Sequence, residues 1–258
     1  MYKRQVENDN LAWQFQFWPD PKNLVARKAA YLLGNGEPIT PAVISQSGVA
    51  VQGFPMVEYL LFDQQLNAGD NALPAARTCA LLTNIARHVK NNSARLTAGW
   101  QAFRPHYLET AQYRDTTISA GMAALEILEE RRLAQPMGLR GNAKRNPYIT
   151  DAWRSGESLM AVEATVDGLH TLFLPGLATL LEAKNEADLA DRIRNQFAEV
   201  LQNFPGAHMP MAIALNQEEP FRALQSLYVD VSQLSTLVSD RAAVALGVVR
   251  GFNSSDGD

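Results

Sequence analysis

Apolar residues return every three or four positions along most of this chain. Leu82, Ile85 and Val89 recur at that spacing, and so do Ile118, Met122, Leu125 and Leu128. A period near 3.6 gathers such residues on one face of a helix, whereas a half-buried strand alternates with a period of two. Leu224, Val231 and Val238 stand seven apart with Leu227 and Leu234 between them, the seam that a bundle helix turns toward its neighbours. β-Branched alternation is scarce and no hairpin signal stands between alternating runs, so the pattern predicts an all-α protein.

Proline and glycine punctuate the pattern. Between residues 114 and 250 they leave helical segments at about 114–134, 157–183, 186–204 and 217–250, enough for a complete four-helix bundle. "AQPMGLRGNAKRNPY" reads as the loop between the first two and "NFPGAHMPMAIALNQEEP" as the link between the last two. Upstream, "NLAWQFQFW" is a short aromatic helix stopping at Pro19, "PKNLVARKAAYLL" ends at Gly34, and one long helix covers about 72–103. Residues 1–112 therefore read as a first bundle short of a helix, and residues 113–258 as a second, full one.

Composition narrows the partners. A net charge of −4 and a pI near 5.6 give no electrostatic footprint for nucleic acid, and no Lys/Arg run is long enough to grip an anionic membrane. Small molecules, ions or proteins remain. The single cysteine, Cys79, excludes an internal disulfide and a Cys-rich zinc site, and its setting in "ARTCALLTNIA" predicts a buried side chain. No stretch reaches the roughly 18–20 continuous apolar residues of a membrane span, and "MYKRQVENDN" lacks the apolar core of a signal peptide.

The segment with most chemical interest is "GFPMVEYLLFDQ". It starts a short helix with Pro55 suited to the first turn, on which Glu58 and Phe62 share a face and Val57, Leu60 and Leu61 point elsewhere. A glutamate among apolar neighbours needs a cation, a hydrogen-bond donor or a raised pKa. An ordinary buried glutamate paired with arginine or a backbone amide reads from the same residues. Histidines stand at 88, 106, 170 and 208. His106 with Glu109, and Asp167 with His170 and Glu163 a turn earlier, have the spacing that puts two metal donors on one helix face. A solvated or capping role suits the same pairs. No HExxH, GxSxG or phosphate-cradling glycine loop is present.

Four stretches, "FWPDPKNLVARKAAYLL", "GFPMVEYLLF", "DAWRSGESLMAVEATVDGLHTLF" and "GVVRGFNSSDGD", resemble, in that order, the imelysin-like family of bacterial envelope proteins. The resemblance spans nearly the whole chain. It implies two four-helix bundles related by an approximate internal repeat, with the first half N-terminally truncated and the C-terminus complete. It also implies a periplasmic or outer-membrane-anchored protein without a transmembrane helix, attached through a lipidated N-terminus that the sequence lacks. Family members are known as peptidases and as iron-regulated or iron-uptake proteins, with the hallmark Gly-x-His-x-x-Glu. Gly53 and Glu58 match it, and Pro55 replaces the histidine.

Proline has no lone pair for a metal, so an iron or zinc site built on that ligand would lose about a quarter of a four-coordinate shell. The expectation is a non-catalytic protein that binds an ion, a siderophore-like small ligand or an envelope protein in the groove between the bundles. Its lining would come from Trp18, Asp20, Glu58, Tyr59, Trp153, Arg154, Ser155 and Glu157. Trp18 and Trp153 could equally plug a bundle end, and Ser155 is expected to cap the helix that follows it. One alternative is a metal-dependent peptidase whose lost ligand is replaced by one of the four histidines, with Glu58, Asp167, His170 and His106 as the candidate metal donors. Another is a structural or interaction module.

Overall fold

The apolar period is realised as helix throughout. The computed structural model describes residues 11–140, 144–204 and 209–248, and no strand occurs among them. His208 and the terminal "RGFNSSDGD" lie outside the described residues. The chain divides into two units, Met1–Glu109 and Thr110–Asp258.

The first unit runs α1 (Leu11–Phe15), α2 (Leu24–Gly34), α3 (Pro41–Gln46), α4 (Val49–Gln52), α5 (Phe54–Phe62), α6 (Gln64–Asn67) and α7 (Ala76–Glu109). α1 stops short of Trp18, because the residue ahead of a proline is steered out of the α region. α2 buries Val25, Ala29, Leu32 and Leu33 at helical spacing, against Ile44, Val51, Met56, Leu60, Leu81 and Ile85. Its last carbonyls, which have no partner within the helix, are taken up by Arg77. Nε donates to Leu33 O at 3.0 Å and Nη2 to Leu32 O at 2.6 Å. α7 runs past its predicted end to Glu109 and carries Pro105 inside it. Within it, Ile85 is fully buried while Leu82 and Val89 pack on the rim of the core.

One expectation for this unit is corrected. Cys79 is half-buried, its Sγ 3.5 Å from Pro74 O, because it stands one residue off the buried stripe marked by Thr78 and Leu81. Leu61 is exposed, since the core face of α5 is set by Met56, Tyr59 and Leu60.

The second unit holds the four long helices that the periodicity requires. They are the continuous segments 116–137 (α8), 158–182 (α9), 187–202 (α10) and 218–246 (α12). The expected plain link between the last two is corrected, because it contains a further helix, α11 (Met211–Asn216), which buries Met211, Ala214 and Leu215. The predicted seam is fully buried: Leu224, Leu227, Val231, Leu234 and Val238 meet Leu125, Leu128, Val166, Leu181, Ile193 and Phe197. Gly121 makes room for a ring, for a Cβ there would sit 2.5 Å from Phe173 Cε2. By length and composition alone, α9 is apolar enough to cross a membrane, yet Leu159, Val162, Val166, Leu174, Leu177 and Leu181 pack into this core.

Three of these helices switch to π-helical turns, at Ile127–Ala134 in α8, Leu169–Phe173 in α9 and Leu237–Ala242 in α12. Such turns accommodate an extra residue in the helix and often mark functional positions.

Phe197 is among the largest fully buried side chains. Phe197→Ala should destabilise the second unit by about 3–5 kcal/mol, read from urea unfolding followed by circular dichroism.

Candidate functional site

In the first unit the motif segment is built by close packing. Gly53 is buried and extended (φ −121°, ψ −167°) at the start of α5. A Cβ at that position would lie 2.2 Å from the Phe15 carbonyl oxygen and 2.7 Å from that of Gln14. Those are backbone atoms, so no side-chain movement could relieve the clash and glycine is required. Pro55 follows in the first turn, where the missing N–H has no helical partner to lose. Phe54 leaves the core and stacks on Phe15, with centroids 6.2 Å apart. Glu58 is half-buried and Tyr59 buried on the same helix, and both are engaged by neighbouring groups. Trp18 is half-buried. Asp20 caps the start of α2, where its Oδ1 accepts from Leu24 N at 2.8 Å and its Oδ2 from Val25 N at 2.9 Å.

Beside Gly53 lies a polar cluster that sequence reasoning missed. Asn92 is buried, and its Nδ2 donates to Gln14 Oε1 at 2.9 Å. His88 Nε2 lies 3.2 Å from that oxygen and 3.1 Å from Asn92 Nδ2, donating to the first or accepting from the second according to its tautomer. Burial, and then the charge of Arg95, hold the His88 pKa below its ordinary 6.5. The signal available in sequence was the four-residue step from His88 to Asn92. Gln14 is too distant in sequence to be paired with them by eye.

In the second unit the "DAWRSGES" stretch forms a tight turn. Ala152 (φ 52°) adopts the left-handed region at a cost of about 1–2 kcal/mol, and Gly156 (φ 83°) adopts it freely. Glu157 N donates to Ala152 O at 3.1 Å, closing the turn. Ser155 Oγ donates to the same carbonyl at 3.0 Å. The expected cap is thereby corrected. Ser155 spends its hydroxyl inside the turn, and the residue before α9 is Glu157, whose side chain makes no capping bond.

The turn is anchored by an ion pair between half-buried Arg132 and buried Asp151, Nη2 to Oδ2 at 2.9 Å. Arg132 comes from the π-helical stretch of α8, and its Nη1 also donates to Thr165 Oγ1 at 3.2 Å and Ala161 O at 3.3 Å on α9. Ser158 Oγ donates to Asp151 O at 2.5 Å and lies 2.9 Å from Thr150 Oγ1. Above this base, Arg154 stacks its guanidinium 4.1 Å over the Trp153 ring, and Tyr148 meets that ring edge-on at 5.0 Å.

The candidate metal donors are dispersed. His106 and Glu109 are exposed near the end of α7, the histidine edge-on to Phe103. Asp167 is exposed, and the His170 ring packs against Phe197 at 5.8 Å. Among the described residues no three of His, Cys, Asp and Glu come together as a metal shell. The Gly53–Glu58 segment offers one carboxylate and no imidazole, so its own donors do not fit iron or zinc.

The Imelysin family profile matches residues 3–238. An imelysin-like protein of known crystal structure, from Psychrobacter arcticum 273-4, is similar with a TM-score of 0.72 and 22% identity, over 96% of this chain and 75% of that one. At that identity the likeness concerns the fold. Among curated proteins none matches.

Three outcomes follow from the contacts. Gly53→Ala should lower stability by about 3 kcal/mol, the upper end for overpacking, because the atoms it meets are backbone; tryptophan fluorescence in a urea titration reads this. Asp151→Ala should cost about 3 kcal/mol in the same titration, at the low end for breaking a buried pair, since Arg132 is partly exposed. His88 has a lowered folded pKa, so the unfolded state takes up its proton first. Stability should be full above pH 6.5 and fall as pH drops through the lowered value. His88→Gln should flatten that slope in melts recorded across the range.

Proposed function

Because this chain belongs to the Imelysin family, we propose that it is a non-catalytic binding protein of the bacterial cell envelope, linked to iron uptake. It holds an ion, a small ligand or a protein partner through the helix that starts at Gly53. The observation carrying this reading is Pro55 at the place of the motif histidine, in the first turn of α5, where proline is structurally at ease. Metal-assisted hydrolysis needs a held ion, a coordination position open to water and a base. Glu58 could act as the base, but its segment supplies no imidazole to hold the ion. The retained Gly53 is needed for packing against Phe15, so its presence does not argue for coordination. The envelope location rests on the family resemblance.

Casein hydrolysis and zinc and iron titration test this on wild type, Pro55→His and Glu58→Ala. We expect no metal-dependent cleavage by wild type, and a gain of at least about tenfold in zinc affinity in Pro55→His as one imidazole ligand is restored. Zinc-dependent cleavage by wild type that disappears in Glu58→Ala would overturn the reading and point to substitute ligands.

A further inference from the structure

A cleft of about 450 Å³ opens in the second unit between α10 and α12, and its reading does not depend on the one given for the Gly53–Glu58 helix. That size suits a small organic ligand. On α10, Arg192, Asn195, Gln196 and Glu199 line it at the three- and four-residue steps of one helix face. On α12 the wall includes Thr236, Leu237 and Arg241, the last two from the π-helical turn.

The charges in this cleft run against those of the chain. Two guanidinium groups face one carboxylate, whereas the whole protein carries a net −4. Neither Arg192 nor Arg241 has a hydrogen bond or ion pair among the described residues. Their neighbour Arg194 shows what a satisfied arginine looks like here, engaging Asp191 and Glu182, both at 2.5 Å. Those two carboxylates are taken, and Arg192 keeps its donors. Gln196 is buried and fixed, its Nε2 donating to Asp230 O at 3.3 Å, which ties the floor of the cleft to α12.

Guanidinium forks match carboxylate and phosphate oxygens. Asn195, Gln196 and Thr236 add amides and a hydroxyl suited to the hydroxyl groups of a ligand, and Leu237 adds an apolar contact for its carbon frame. We propose that this cleft binds a small hydroxylated organic anion, its carboxylate or phosphate held by Arg192 and Arg241.

Isothermal titration of the full chain with glycerol 3-phosphate, glycerate and neutral glycerol tests this. Saturable binding of one or both anions and none of glycerol is expected, with the stronger binder telling phosphate from carboxylate. Arg192→Gln and Arg241→Gln are exposed changes that should leave the melting temperature unaltered, and each should weaken binding by about tenfold or more, the loss of a charge-assisted hydrogen bond. Arg194→Gln should leave binding unchanged. Absence of saturable binding by both anions, binding that persists in the double arginine variant, or equal binding of glycerol would overturn the proposal.

Discussion

A polar side chain on the buried face of a helix is cut off from water, so it must bond to a group that the fold places within reach. That constraint shapes both units. In the second, Arg132 reaches from α8 to Asp151 while two further contacts from the same guanidinium hold α9. In the first, Asn92 on α7 bonds Gln14 at the end of α1. Each link ties two segments by a directional bond, which adds to the apolar packing that already holds them.

The turn before α9 shows how such a bond is used. Asp151 is held from below, Ala152 takes a strained left-handed conformation, and Trp153 and Arg154 stack above. Strain of this kind persists where surrounding contacts over-determine the backbone. The π-helical turn that supplies Arg132 belongs to the same arrangement, since the shifted register of α8 sets which of its charged residues face inward.

Most of the helical frame is legible in the chain because a 3.6 period survives in α2, α10 and the seam from Leu224 to Val238. The parts that are not legible break that period or depend on distant residues. A π turn lengthens one helical turn without any residue type that announces it. α11 is too short for periodicity to register. Ser155 fits a cap by its position in the sequence, but its hydroxyl is claimed by the carbonyl of Ala152, a competitor visible only once the turn is built. At the candidate site, Gly53, Pro55 and Glu58 can be named from sequence, whereas the Gln14, His88 and Asn92 cluster beside them requires the fold to bring residue 14 to residue 92.

Gly53 has a consequence for how chains of this kind should be recognised. The backbone of Phe15 forbids a side chain at that position whatever stands two residues later. Packing alone therefore requires a glycine here, whatever chemistry the neighbouring positions carry. A glycine shared with a metal-binding pattern then reports the path of the backbone at this turn. The chemistry of such a segment has to be read from its other positions, since the first answers to packing.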